Sequence, residues 1–136
     1  MSPDNLQFDY GDLKPALTEQ MVMNHYIVHT HQYFNTISEL ISGTSLSGKS
    51  LADLLHDPSV KSSNSKLWHA VCQAHNHNMY WKGLTPKQTN PSDDVLKEIN
   101  HSCGSIDKMK AEIIHQGTQL FGSGWIWLCV KQGKIS

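Results

Sequence analysis

The first half of the chain contains two long stretches in which hydrophobic positions recur at helical spacing. Residues 17–41 include neither glycine nor proline, Thr18 is suited to cap their start, and Gly43 follows their end. A second stretch, residues 66–82, is stopped by Gly83. The pattern predicts two long helices that pair as an antiparallel hairpin, since a loop-rich connection joins them.

The connection between these helices is mostly polar. Ser50 can cap a short helical turn over residues 50–55, whose leucines share one face. Residues 57–65 form a polar segment of this loop-rich connection. We therefore expect one short turn between the two long helices.

The second half of the chain combines turn residues with shorter helical patterns. The segment 85–92 (TPKQTNPS) consists of turn-forming residues and marks a boundary between two lobes. Residues 91–101 and 106–120 have helical patterns, whereas residues 125–130 (WIWLCV) have the aromatic and aliphatic composition of a buried strand. A turn is predicted at residues 132–134, which would leave half a hairpin after the strand.

The order of these elements predicts an α+β fold with two domains. Residues 1–85 would form the long antiparallel helical hairpin, and residues 86–136 a truncated α/β lobe made of helices and its first strand or strands. A chain of 136 residues can build one domain or two small lobes that share an interface.

Composition and charge exclude several classes of partner. Eleven basic and twelve acidic side chains give a net charge of −1, so no overall field draws the chain to nucleic acid or to an anionic membrane. There is neither a transmembrane-length apolar run nor a basic leader, so a soluble protein is expected. Three cysteines without CxxC spacing indicate a reducing compartment, which we expect to be the cytoplasm, with an organelle matrix as the alternative.

Histidine is the residue type in excess, with nine copies, seven of them between residues 25 and 77. On the first predicted helix, His25, His29 and Tyr33 recur at i, i+4 and i+8 and therefore share one face. The same spacing relates four residues of the second helix, namely His69, Gln73, His77 and Trp81.

Two facing stripes of imidazole would be costly if they were dry and unpaired, and a bound metal ion would remove that cost. Taken singly, each histidine has a simpler interpretation as a surface or capping residue, and Trp81 as a core aromatic. The joint spacing on both helices favours a metal site. Imidazole alone does not choose among Zn, Fe, Mn and Cu, so the metal stays open at this point.

Three motifs, in this order, resemble those of a known family. The pattern HYxxHxxxY at residues 25–33 is similar to the first-helix signature of the iron and manganese superoxide dismutases, and NHxxYW at residues 76–81 to their second-helix signature. The stretch FGSGWIWL, residues 121–128, resembles the entry into the C-terminal sheet of that family. Weaker similarity fills the gaps, so the resemblance covers nearly the whole chain.

The resemblance implies a redox metalloenzyme that converts superoxide to dioxygen and hydrogen peroxide at a mononuclear metal. Within it, His25 and His77 correspond to two metal ligands, and His75 does not. Tyr33 and His29 correspond to residues of the substrate funnel, where the tyrosine hydroxyl can relay protons.

Three further correspondences concern the cavity and the choice of metal. Trp81 and Trp125 match aromatics that wall the metal cavity and keep it dry. Gln73 lies one helical turn before His77, the position from which the iron-type members hydrogen-bond the metal-bound solvent and so tune its reduction potential. The resemblance therefore implies iron as the cofactor, with manganese as the alternative.

The sequence also departs from the family pattern. The family takes an aspartate and a third histidine ligand from a DxWEHA-like C-terminal segment, and no such segment occurs here. Val28 stands where a lysine usually helps to attract the anionic substrate, and Thr30 replaces a common histidine. We therefore expect a shortened or diverged member.

Two hypotheses follow from this combination. One is an iron superoxide dismutase, supported by the retained funnel pair and by Gln73. The alternative is a catalytically silent, dismutase-like scaffold subunit of a larger assembly, supported by the missing ligands. A homodimer or a heteromeric partner would cover the unfinished sheet in either case.

Overall fold

The computed structural model describes residues 1–135 of the chain, apart from the side chain of Ser63. The chain divides into two compact units, Met1–Lys87 and Gln88–Ser136. Among the described residues, no helix combines the length and the apolar character needed to cross a membrane. The described elements are mainly helices with one small sheet, and the predicted α+β class is confirmed.

Residues 19–41 of the first unit are helical throughout, in three consecutive parts. Helix α1 (Glu19–Met23) begins after Thr18, whose side chain accepts a hydrogen bond from the Met21 N–H as the sequence predicts. The segment Asn24–Thr30 is π-helical, and α2 (His31–Ile41) completes the run. We call these three parts together the first long helix.

The π-helical segment corrects the prediction of one uniform α-helix. In a π-helix a backbone N–H bonds to the carbonyl five residues earlier, as the His31 N–H does with Tyr26. The Thr30 hydroxyl also bonds to a carbonyl five residues earlier, because it donates to that of His25 at 2.7 Å. The spacing of hydrophobic residues does not reveal this local widening, since the apolar face continues on both sides of it.

The predicted turn after the first long helix is a short helix, α3 (Leu51–His56). Its start is fixed by a capping box in which Ser50 accepts from the Asp53 N–H while the Asp53 carboxylate accepts from the Ser50 N–H. The side chain of Leu54 is fully buried, so α3 contributes directly to the core of the first unit.

The polar segment 57–65, which was expected to belong to a loop-rich connection, contains a further short helix, α4 (Pro58–Ser63). Its signal is local: Asp57 caps the helix through the Ser59 N–H, and Pro58 occupies the first helical position. A fully buried Val60 attaches this short helix to the core.

The second long helix is α5 (Ser65–Gly83), capped by Asn64. Near its C-terminal end, the ring of Trp81 lies 4.9 Å from that of His25, in the first half of the first long helix. Nearer the N-terminus of α5, the ring of His69 lies 6.1 Å from that of Tyr33. The two long helices are therefore antiparallel, as predicted.

The first unit has two apolar clusters along this hairpin. One surrounds Phe34, Ile37 and Val71, and the other contains Leu13, Val22, Tyr26 and Trp81. The buried polar residues among those described are Thr30 and His77, one on each long helix and both between the clusters in sequence. A polar layer therefore interrupts an otherwise apolar interface.

The second unit contains two helices and a small hairpin. Helix α6 (Asp93–Cys103) is capped by Ser92, and α7 (Ile106–Gln119) is capped by Ser105. The hairpin of β1 (Val130–Lys131) and β2 (Lys134–Ile135) is tied to α6, because the Ile135 N–H donates to Ser102 Oγ at 3.0 Å.

The predicted strand over residues 125–130 was wrong for residues 125–129. Only Val130 and Lys131 pair, in antiparallel register with Ile135 and Lys134. The turn is the tight two-residue type, since Gln132 and Gly133 both have positive φ, at 52° and 77°. An extended run becomes a strand only beside a partner strand, and within the described chain residues 125–129 have no such partner.

Truncation of Ile37 is expected to destabilise the first unit. Because this side chain is fully buried in the larger cluster, Ile37→Ala should lower the free energy of unfolding by about 2–5 kcal/mol. The exposed Asn35 on the same helix offers a matched control, and Asn35→Ala should stay within about 0.5 kcal/mol of the parent. Urea unfolding measures both, and equal losses in the two variants would contradict the assigned core.

Candidate metal centre

Three imidazole rings meet in the polar layer of the hairpin. His25 and His29 come from the π-helical segment and His77 from α5. One ring nitrogen from each lies within 4.8 Å of the other two. The ring centroids are 5.5 Å apart for His25 and His29, 5.1 Å for His25 and His77, and 5.0 Å for His29 and His77. We call these residues the three-histidine cluster.

His77 is the most buried member, with 2% of its surface exposed. Its Nδ1 lies 2.7 Å from the backbone carbonyl of Gln73. Because a carbonyl only accepts hydrogen bonds, Nδ1 carries the proton and Nε2 holds the lone pair of the neutral ring. This tautomer, with Nδ1–H donated to a backbone carbonyl, is the usual state of a metal-ligating histidine.

Electrostatics keep the two inner rings neutral at physiological pH. Burial, followed by the neighbouring His77 and His29, lowers the pKa of His25 from its usual value to about 4. Burial also lowers the pKa of His77, although its hydrogen bond to the Gln73 carbonyl opposes this shift. Neutral imidazole is the form that offers a lone pair to a metal ion.

Trp81 forms one wall of the centre. Its side chain is 3% exposed, and its ring lies 4.9 Å from that of His25 at an interplanar angle of 61°. The indole N–H donates to Thr30 Oγ1 at 3.0 Å, and the Thr30 hydroxyl in turn donates to the His25 carbonyl. This hydrogen-bonded chain fixes the tryptophan of α5 against the backbone that carries His25.

Tyr33 and His29 lie at the outer side of the cluster. His29 is exposed, and its Nε2 lies 3.4 Å from the Tyr33 hydroxyl, which is long for a hydrogen bond. The Tyr33 ring is half-buried and lies 5.2 Å from the ring of His77. The pair therefore connects the buried imidazoles with the surface.

A cavity of about 500 Å³ opens beside the cluster. Leu17, Met21 and Val22 form its apolar side, and the rings of His25 and His29 contribute its polar side. A small anion or a water molecule can therefore reach the imidazoles.

The structure brings together most of the residues that the sequence singled out. A continuous series of ring contacts links five of them: His25, His29, Tyr33, His77 and Trp81. The backbone of Gln73 contacts the cluster through His77, whereas Trp125 belongs to the second unit, and its place in the cavity wall stays a prediction.

Sequence analysis missed the part that Thr30 plays in this centre. It was noted only as a replacement for a histidine, yet it is fully buried and bridges Trp81 to His25. A signal was available, because Thr30 stands four residues from both Tyr26 and Phe34 on the buried stripe of the first long helix.

A helical hairpin that gathers imidazoles from both of its helices beside a tryptophan defines a helical-hairpin protein with a candidate metal centre. Comparison with known families agrees with this class. Residues 2–85 match the family described as iron/manganese superoxide dismutases, alpha-hairpin domain, and residues 91–136 match the C-terminal domain of the same family. The chain belongs to the iron/manganese superoxide dismutase family, and the resemblance seen in the sequence is confirmed.

Individual relatives support the same assignment. The chain is 30% identical over 132 residues to a superoxide dismutase [Fe] of Synechocystis sp.. It is 29% identical over 133 residues to superoxide dismutase [Mn/Fe] 2 of Staphylococcus aureus. Each alignment covers 96% of this chain and 66% of the relative, so the chain spans just under two thirds of the length of the curated proteins that it matches.

Removal of the Thr30 hydroxyl is expected to weaken the hairpin. Thr30→Val keeps the shape but leaves the buried Trp81 N–H without its acceptor, which should cost about 1–3 kcal/mol in free energy of unfolding. Thr30→Ser retains the hydroxyl and should cost only about 1 kcal/mol, for one buried methyl group. Urea unfolding, together with the indole N–H resonance of Trp81, separates these outcomes. An unchanged indole resonance in Thr30→Val would contradict the bridge.

The stability of the metal-free protein should depend on pH through His25. Its folded pKa is about 4, below the value of about 6.5 for an unfolded histidine, so the unfolded chain binds more protons between these values. The free energy of unfolding is therefore fully present above about pH 6.5 and falls as the pH drops towards about 4. Urea unfolding at several pH values across this range measures how steeply the free energy of unfolding falls with pH. We expect a smaller slope in His25→Gln than in the exposed control His56→Gln. Equal slopes would contradict the assignment.

Proposed function

We propose that the chain takes part in superoxide dismutation at a mononuclear iron site to which His25 and His77 contribute ligands. The observation that carries this proposal is the tautomer of His77. Its Nδ1–H donates to the Gln73 carbonyl, which leaves the lone pair on Nε2, and its ring lies 5.1 Å from that of His25. Membership of the iron/manganese superoxide dismutase family supports the choice of reaction.

The reaction consumes two superoxide anions and two protons and yields one dioxygen and one hydrogen peroxide. One anion is oxidised and the other is reduced, so the electrons balance without an external reductant. Iron, when bound, would supply the one-electron exchange by alternating between its +3 and +2 states. The protein must therefore hold the ion, admit a small anion and deliver protons to the peroxide product.

The positions of the side chains suit these tasks. His29 and Tyr33, 3.4 Å apart between Nε2 and Oη, can exchange a proton between solvent and the cavity. Trp81 covers the inner side of His25 and excludes water from it. The cavity beside the cluster, lined by His25 and His29, gives a small anion access to the rings.

Iron rather than manganese is proposed because of Gln73. Its backbone already orients His77, and it precedes that ligand by four residues, as in the iron-type pattern of the family. The relatives support both metals, since one is named an iron enzyme and the other a manganese/iron enzyme. Manganese is therefore the alternative cofactor.

A second candidate function is that of a catalytically silent, dismutase-like subunit in a larger assembly. Val28 is 64% exposed and offers no charge where the family usually has a lysine, which weakens attraction of the anion. Within the described part of the second unit, helix α7 has no buried residue, and Ile114 is 65% exposed. These apolar surfaces favour contact with a protein partner, which would be a second copy or a different subunit.

Iron content tests the proposed site. Protein produced with iron in excess should retain near-stoichiometric iron by elemental analysis, and His77→Ala should lose most of it, because the variant removes the oriented lone pair. His75→Ala is the matched control, since His75 lies in the same stretch of α5 and outside the three-histidine cluster. It should keep the iron of the parent protein.

Dismutase activity should follow the metal. We expect superoxide consumption in the parent and in His75→Ala, and its loss in His77→Ala. Iron that is retained equally in all three proteins would contradict the ligand assignment. Iron that is bound through His77 without any superoxide consumption would instead favour the silent subunit.

A further inference from the structure

Thr30 is a polar residue at a position where helix packing favours an apolar one. It is fully buried and stands four residues from both Tyr26 and Phe34, which are buried on the same stripe of the first long helix. Valine has nearly the same shape and carries no hydroxyl that must be satisfied when it is buried. The hydroxyl of Thr30 therefore serves something other than packing.

The two hydrogen bonds of this hydroxyl each have a fixed direction. The His25 carbonyl can only accept, so the single hydroxyl proton points to it, at 2.7 Å between the two oxygens. The Trp81 indole N–H can only donate, so it takes a lone pair of the same oxygen, at 3.0 Å between Nε1 and Oγ1. The side chain at position 30 must donate and accept at once, and an apolar side chain does neither.

The bond from Trp81 determines how its indole ring is turned. A tryptophan ring that is held only by apolar contacts can turn about its Cβ–Cγ bond, because that torsion has broad minima. The rings of Tyr26 and Tyr80 supply contact area, with centroids 5.6 and 4.9 Å from that of the indole. The bond to Thr30 specifies which edge of the indole points to the first long helix.

The orientation of this indole matters to His25. The two rings lie 4.9 Å apart, and Trp81 is 3% exposed, so the indole covers one side of the imidazole. His25 also borders the open cavity of about 500 Å³, so its ring depends on such cover for its partial burial. One oxygen atom thus bonds both to the backbone that carries the imidazole and to the ring that covers it.

We propose that Thr30 is a positioning residue for the proposed iron site. Its hydroxyl turns the Trp81 indole against the ring of His25, and this cover strengthens retention of the ion. The inference rests on the proposed function for the role of His25 as a ligand, and it adds a residue that touches neither the ion nor the substrate. Loss of such an outer partner typically costs about 10–100-fold in metal affinity.

Titration of the metal-free protein with Fe²⁺, under exclusion of oxygen, tests the role of the hydroxyl. Thr30→Val should weaken the Kd for Fe²⁺ by roughly 10–100-fold. Thr30→Ser keeps the hydroxyl and should restore most of the affinity. A Thr30→Val variant that is folded and binds Fe²⁺ with less than a tenfold change of Kd would overturn the proposal.

Ile37→Ala is the control for lost stability. It truncates the larger apolar cluster of the same unit, whereas Trp81 belongs to the other cluster. It should therefore bind Fe²⁺ as the parent does, although it is less stable. A loss of affinity in Ile37→Ala as large as that in Thr30→Val would show that stability alone is measured, and would also overturn the proposal.

A double-mutant cycle shows whether Thr30 acts through Trp81. Trp81→Phe keeps an aromatic ring beside His25 but has no N–H to donate to Thr30. In this background, Thr30→Val should change the Kd for Fe²⁺ much less than it does in the parent, because the bridge is already broken. A change as large as in the parent would contradict a role through Trp81.

The orientation of the indole also has a signature that requires no metal. The Cε1–H proton of His25 lies close to the indole and is shifted by its ring current, so a turned indole moves this NMR resonance. In metal-free protein the resonance should move in Thr30→Val and stay near its parental position in Thr30→Ser and Ile37→Ala. An unmoved resonance in Thr30→Val would contradict the positioning of Trp81.

The two proposals fail in different ways. If the iron-loaded parent consumes superoxide and Thr30→Val binds iron as tightly as the parent, the proposed function stands and the positioning role falls. If Thr30→Val weakens iron binding and moves the His25 resonance while the iron-loaded parent does not consume superoxide, the positioning role stands and dismutation falls. A parent protein that binds no iron would overturn both.

Discussion

The hydrogen bond from His77 Nδ1 to the Gln73 carbonyl is the interaction on which the centre depends. It allows a polar ring to be 98% buried in the hairpin at little cost, whereas a buried polar group without a partner costs about 1–3 kcal/mol. It also fixes which nitrogen carries the proton and therefore which one has a lone pair. One backbone contact within α5 thus makes the burial tolerable and prepares the ring for a metal ion.

The rest of the first unit keeps the partners of this ring in place. The apolar cluster around Ile37 and the one around Trp81 pack on either side of the polar layer, so the two long helices cannot slide without exposing one of them. The π-helical segment adds a local adjustment, because it carries both His25 and His29 and is bridged to Trp81 through Thr30. Packing and hydrogen bonding therefore hold the same few residues from different directions.

Much of this arrangement could be predicted from the sequence, because spacing along a helix determines which side chains share a face. The i, i+4 positions of His25, His29 and Tyr33, and those of His77 and Trp81, were sufficient to predict a site between two helices. Spacing does not determine local hydrogen bonding, so the π-helical turn and the bridging role of Thr30 were not predicted. The strand at residues 125–129 was wrong for a different reason: β-structure depends on a partner, and aromatic composition alone does not supply one.

The burial of His25 and His77 also favours the binding of a metal ion at this centre. Desolvation lowers the pKa of His25 and of His77, which removes competition from protons at neutral pH and leaves the lone pairs for a cation. The same desolvation would be costly for a permanently charged ligand, which explains why neutral imidazole suits this depth between two apolar clusters. His29 differs because it is exposed and lies beside the Tyr33 hydroxyl at the outer side of the cluster. The two inner rings are therefore the ones whose lone pairs burial leaves free for a cation at neutral pH.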